Sequence, residues 1–175
     1  MGTRPLTLLL AGCVLMGCGS GEVASKTPET AAPVALNVQS PAFANGGTIP
    51  DTYSGYGAGT QPTLIWTPIP KNTQSLVVLV EDPDAPGTKP FVHWLVINIP
   101  PSSTTVTGTA LKNSANENGY YPPKPPPGKV HHYHYQVFAL DVPSINATDR
   151  DSALKAIKGH VLAKGDLVGT YQAKA

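Results

Sequence analysis

Asp82 and Asp84 flank Pro83, with Ala85 and Pro86 directly after them; His93 follows, and a His131-His132-Tyr133 triplet lies further along. These residue types do anion, metal or acid–base chemistry. A carboxylate that accepts a hydrogen bond from an imidazole fixes its tautomer and raises its basicity. The other ring nitrogen is then expected to face a pocket as a donor. Two such histidines and the Tyr133 phenol make a receptor for phosphate or carboxylate oxygens. The two aspartates weigh against a highly charged anion unless the ligand brings a proton or a cationic group. A zwitterion or a phosphomonoester fits that balance better than a polyphosphate. Metal binding by Asp82, Asp84 and the histidines, or by His132 and His134 two apart on a strand, finds no CxxC or HExxH spacing behind it. Acid–base catalysis, as in a weak hydrolase or a metal-dependent enzyme on the same site, finds no GxSxG elbow. His131 to His134 also reads as an exposed His-rich strand, and no Walker-type phosphate loop is present. The expectation is a binding site with no catalytic residue, no metal and no cofactor.

The elements that must position these groups are short strands. Leu76 to Val80 is an unbroken apolar run, the mark of a strand buried on both faces. Pro83 and Pro86 end it, since each lacks an N–H and has its φ locked. Phe91 to Ile99 alternates His93, Leu95 and Ile97 against Trp94, Val96 and Asn98, which predicts two distinct faces. His131 to Leu140 is the most regular strand. It carries His131, Tyr133, Tyr135, Val137 and Ala139 on one face and His132, His134, Gln136, Phe138 and Leu140 on the other. Between them, Gly119 to Gly128 is too Pro-dense for strand or helix and reads as a stiff loop across a pocket rim.

Leu36, Val38 and Phe43 are spaced as a first strand and its exit, and Thr63 to Thr67 as another short strand running into Pro68. Ser102 to Gly119 is polar and reads as loop. Thr148 or Asp149 can cap a short helix with an apolar stripe at Ala153, Leu154, Ala156 and Ile157, stopped by Gly159. Leu167 to Tyr171 reads as a final strand. The expected class is mainly β with one short helix near the C-terminus.

The 175-residue chain holds 19 prolines and 17 glycines, and that density of turn formers fits many short strands. Net charge is +1 with 13% charged residues, so no basic face for nucleic acid is implied. Arg4 precedes an apolar run from Leu6 to Met16, too short to span a bilayer but suited to a signal peptide. Leu15-Met16-Gly17-Cys18 resembles a lipobox, in which the Cys becomes the lipidated first residue. Leu10-Ala11-Gly12-Cys13 matches the letters better but leaves a very short leader. The expected organisation is a lipoprotein-type signal peptide at 1–17, a flexible tether at 18–34 and a domain at 35–175. Lipidation at Cys18 would hold the protein at a bacterial membrane in the cell envelope, and without it the protein would be secreted or periplasmic. Cys13 and Cys18 are the only cysteines, so the processed domain has no disulfide and stands on its core. About 140 residues can bury roughly two-thirds of their unfolded surface.

DPDAP at 82–86, HW at 93–94 and GYYPPKPPPGKVHHY at 119–133 resemble the phosphatidylethanolamine-binding protein family, in particular its bacterial YbhB/YbcL, Raf-kinase-inhibitor-like branch. SPAFANGGTIP at 40–50, PTLIW at 62–66, HYQVFAL at 134–140 and KAIKGHVLAKGDLVGTY at 155–171 support the likeness. The resemblance implies a central antiparallel sheet packed on a smaller sheet, with a helix near the C-terminus. It implies a small anion pocket made here by Asp82, Asp84, His93, His131 and Tyr133, with Pro86 at its edge. Eukaryotic relatives bind phospholipid head groups and some regulate kinases, so a protein partner is an expectation of the resemblance, and enzymatic activity is not. Two departures stand out. His132 replaces the family's usual Arg, a weaker, titratable donor. Tyr121 or Pro122 replaces a Gly before the loop, which is expected to remove a close backbone approach.

Overall fold

The computed structural model describes residues 1–2 and 34–174. Cys13, Cys18 and nearly all of the expected signal peptide and tether lie outside the described residues. The strands are β1 (Val34–Ala35), β2 (Asn37–Gln39), β3 (Ile65–Thr67), β4 (Ser75–Asp82), β5 (Phe91–Ile99), β6 (Thr109–Ala110), β7 (His131–Leu140) and β8 (Val161–Tyr171), with helix α1 (Arg150–Ile157) before the last. Six of them form one sheet in the order β1-β8-β7-β4-β5-β6, and β2 pairs with β3 in a small second sheet. The expected mainly β architecture, a large sheet against a smaller one with a short helix, is the one observed. The large sheet is antiparallel except at its edge, where β1 runs parallel to β8. Val34, which the sequence places in the tether, already belongs to β1. Among the described residues no helix is long and apolar enough to cross a membrane.

The unbroken apolar run produces the central strand. All eight residues of β4 are buried, because the sheet is covered on both faces. On one face Val78, Val80, Trp94, Tyr135 and Val137 pack against Leu36, Val38 and Trp66 from the first strands and against Phe43 and Ile49 from the loop between them. On the other face Val77, Leu79, Leu95, Phe138 and Leu140 pack under Ala153, Leu154 and Ile157 of α1. Each such fully buried aliphatic contributes about 1.5–3 kcal/mol. Asp149 caps the helix, its carboxylate accepting from the Ser152 N–H at 2.8 Å. The helix is also tied to the sheet by charge: Arg150 Nε donates to Glu81 Oε2 at 2.6 Å, and Gln136 Nε2 donates to Glu81 Oε1 at 3.0 Å.

The last strand is longer than the sequence pattern predicts, starting at Val161 rather than Leu167. Its inward positions include Gly165 and Gly169, which carry no hydrophobic signal. A Cβ at Gly165 would lie 2.4 Å from the Leu36 carbonyl oxygen, and one at Gly169 would lie 2.6 Å from Ile49 Cγ1. The neighbouring chain packs directly on the strand backbone, which requires glycine and hides the alternation. The segment from 102 to 119 is loop as expected, apart from the two residues of β6.

Candidate functional site

Asp82 is the last residue of β4. Its Oδ1 accepts from the N–H groups of Asp84 and Ala85 at 2.8 and 3.1 Å, the local turn that Asp-Pro-Asp chemistry favours. Its Oδ2 lies 2.7 Å from Nδ1 of His131, the first residue of the neighbouring strand β7. Both partners are buried, at 3% and 5% exposure. The carboxylate is thus held by two backbone donors on one oxygen and orients an imidazole with the other.

His93 reaches the same place by a route that strict alternation does not predict. Val80 pairs with Trp94 and Glu81 with Val92, which leaves His93 as the extra residue of a β-bulge. The bulge re-aims its side chain. Leu95 and Ile97 pack under the helix, while His93 lies on the opposite side against the rings of Tyr133 and Phe91, at centroid distances of 5.1 and 4.8 Å. The face assignment of His93 with Leu95 and Ile97 is therefore corrected. Among the described residues no carboxylate bonds this imidazole. Its Nδ1 sits 2.8 Å from the carbonyl oxygen of Tyr121. That oxygen only accepts, so Nδ1 carries the hydrogen and Nε2 of the neutral ring is an acceptor rather than the expected donor. Burial depresses the His93 pKa below the usual histidine value of 6.5, against the opposing pull of the Tyr121 carbonyl and of Asp82.

Tyr133 is fully buried, and its hydroxyl has no hydrogen-bond partner among the described residues. Burial, reinforced by Asp82, raises its pKa well above the usual tyrosine value, so it stays a neutral O–H. Asp82, Pro86, His93, His131 and Tyr133 line one cavity of about 180 Å³. The Pro-rich loop closes its far side with Tyr121, Lys124, Pro125 and Pro126, as the stiff-rim expectation holds. The loop is pinned from behind: Gly55 N–H donates to the Pro123 carbonyl at 2.8 Å, and the Tyr56 hydroxyl donates to that of Pro125 at 2.7 Å. Replacing Gly by Tyr121 does not cost the close approach, because the Tyr121 N–H donates to the His93 carbonyl at 2.8 Å.

Asp84 does not line the cavity. Its Oδ2 accepts from the backbone N–H of His132 at 2.8 Å and lies 2.7 Å from that residue's Nδ1. Partial desolvation opposes ionisation of this carboxyl, but the His132 side-chain and backbone hydrogen bonds hold its pKa below the usual value. His132 and Asp84 form an outer pair, about half exposed. His134 makes a separate pair with Asp166 at 2.8 Å. Among the described residues no three His, Cys, Asp or Glu side chains gather to hold a metal ion. Phe91 and Lys124 are site residues that the sequence did not single out. Phe91 was placed only as a strand start, and a lone Lys in a proline run carries no local signal. The Lys124 ammonium rests 5.8 Å from the Tyr56 ring centroid and has no carboxylate partner among the described residues.

The chain is similar to known proteins over most of its length. A UPF0098 protein of Chlamydia muridarum is 38% identical over 149 aligned residues, covering 78% of this chain and 99% of its own. One from Pyrococcus horikoshii is 37% identical and covers 96% of this chain and 86% of its own. Among solved structures, a phosphatidylethanolamine-binding protein homologue from Chlamydia trachomatis superposes with a TM-score of 0.75 at 34% identity, over 80% of this chain and 99% of that one. YbcL of E. coli, described as a member of the mammalian PEBP family, gives 0.73 at 26% identity over 81% and 100%. The family pattern itself matches residues 39–172, from the last residue of β2 through β8, and the chain belongs to the phosphatidylethanolamine-binding protein family.

Proposed function

We propose that the cavity around His93, His131 and Tyr133 binds a small anion, the phosphorylated or zwitterionic head group of a larger molecule, without turning it over. The observation that carries this is the Tyr133 hydroxyl, a buried donor with no partner among the described residues, beside the Asp82–His131 pair and the second ring nitrogen of His93. A buried polar group left unpaired costs about 1–3 kcal/mol, which a ligand oxygen would recover. At about 180 Å³ the cavity falls below the ~300 Å³ lower end for drug-sized ligands, so it suits a head group and not acyl chains. Lys124 at the rim adds the positive charge that the Asp82–His131 pair does not supply. Asp84 acts at one remove, through its hold on His132.

The test is a titration of phosphoethanolamine and of inorganic phosphate, followed by NMR of the histidine rings. Both His93 and His131 shift on saturation, and Tyr133→Phe weakens binding about 10-fold. Unmoved histidine signals at millimolar ligand reject the reading. We place the protein at the bacterial envelope, tethered by a lipid on Cys18, where the occupied pocket docks a regulated protein partner. Cys18→Ala then moves it from the membrane fraction to the soluble fraction, and persistence at the membrane refutes the anchor. Capture of an envelope protein that phosphate competes away supports the partner, and capture insensitive to phosphate separates it from the pocket.

A further inference from the structure

We infer that the pocket is built for an oxyanion that carries a proton, so that it takes phosphate and phosphate monoesters and refuses sulfate, with His93 Nε2 as the selecting atom. This rests on the anion-binding reading above and goes further by naming the atom that chooses among anions of one shape.

The bond between His93 Nδ1 and the Tyr121 carbonyl, at 2.8 Å, needs the ring hydrogen on Nδ1. A neutral ring then has a bare lone pair at Nε2. No group of the described protein donates to it. The ring is faced by Phe91 at 4.8 Å, Tyr133 at 5.1 Å and Tyr121 at 6.0 Å between centroids, so it is walled by aromatic surface. Asp82 and His131, which line the same cavity, are already bonded to each other. Its burial, at 4% exposure, resists a second ring proton.

A fully ionised oxyanion offers only lone pairs. Against Nε2 these repel and leave a buried acceptor unsatisfied, whereas a P–OH group donates to it. Tyr133 complements this from the other side, because its O–H donates to an anionic ligand oxygen. The His93 Nε2 acceptor and the Tyr133 O–H donor, both fixed by the fold, match a ligand with one protonated and one ionised oxygen. Phosphate monoesters, with a second pKa of about 6, keep a fraction in that state near neutral pH, while sulfate does not.

The experiment is a parallel NMR titration of the full-length protein near neutral pH with inorganic phosphate, methyl phosphate and sulfate, observing the ¹⁵N signals of the histidine rings. Phosphate and methyl phosphate are expected to bind at least about 10-fold more tightly than sulfate, with the His93 Nε2 signal moving as it accepts a hydrogen bond. His93→Gln, whose amide can turn either end to the ligand, brings the ratio to within about threefold. If that variant does not fold, the wild-type ratio and the Nε2 signal decide. Equal binding of sulfate and phosphate overturns the selection and leaves the anion pocket standing. A ratio unchanged in folded His93→Gln overturns the role of His93. Failure of phosphate, methyl phosphate and sulfate alike overturns the anion-binding reading itself.

Discussion

Tyr121 and His93 are tied to each other twice: the Tyr121 N–H donates to the His93 carbonyl, and the Tyr121 carbonyl accepts from the His93 ring, both at 2.8 Å. One residue of the loop thereby acts as a strand partner and as the group that sets an imidazole tautomer. The loop's proline content supports this, since Pro122 and Pro123 limit the backbone freedom that would break the pair.

Tyr121→Pro removes the N–H while keeping a rigid loop. The expected result is a loss of about 1–3 kcal/mol in urea unfolding, from a carbonyl left without its donor. The His93 ring should then show mixed tautomers by ¹⁵N NMR. A single unchanged tautomer with unchanged stability would show that the loop does not control this histidine.

Lys124→Gln tests the rim charge. The side chain is exposed and its noted contact is the Tyr56 ring, so stability should move by less than about 0.5 kcal/mol. Phosphate affinity should fall about 3- to 10-fold, and its dependence on salt should flatten. Unaltered affinity and salt dependence would remove Lys124 from the site.

Acid should destabilise the fold through His93. Its folded pKa lies below the usual 6.5. As pH falls through 6.5 the unfolded chain binds the proton first, so stability declines until the pH passes the folded value. His134 works in the opposite sense. The Asp166 hydrogen bond raises its pKa, so its contribution is full below 6.5 and is lost as pH rises through the folded value. That pair is about a third exposed and contributes under about 1 kcal/mol. The net expectation is lower urea midpoints at about pH 5 than at about pH 7.5. The drop should be larger in His134→Asn and smaller in His93→Gln.

Gly165→Ala probes the packing of the first strands on β8. The added Cβ would sit 2.4 Å from the Leu36 carbonyl oxygen, and backbone must shift to admit it, at an expected cost of about 1–3 kcal/mol. Full stability in this variant, measured by thermal unfolding, would mean that the close approach at Leu36 does not form in solution.

The sequence by itself determined the strands whose chemistry is local. Leu76 to Val80 had to be a doubly covered strand, since no exposed face can carry five apolar residues in succession. Pro83 and Pro86 had to end it. The period-two pattern of His131 to Leu140 separated its two faces correctly, and Thr148 or Asp149 marked the helix start, with Asp149 the observed cap. The same pattern placed His131 and Tyr133 on one face, and the family resemblance pointed to their partners. Tertiary structure alone decided how these groups are used. The bulge that turns His93 away from Leu95 and Ile97 is a mismatch in register between two strands, which neither strand encodes alone. The choice of the Tyr121 carbonyl over an aspartate as the partner of His93 depends on where a loop 28 residues away in sequence comes to rest. Asp82 and Asp84 look alike in the sequence, yet only Asp82 lines the cavity, because Asp82 ends the strand while Asp84 lies in the turn beyond it and bonds His132. Gly165 falls outside the strand predicted at Leu167 to Tyr171, and only the chain packed on Gly165 and Gly169 shows that both belong to the inward face of β8. In each case the deciding contact joins residues far apart in the chain, and that pairing is a property of the assembled sheet.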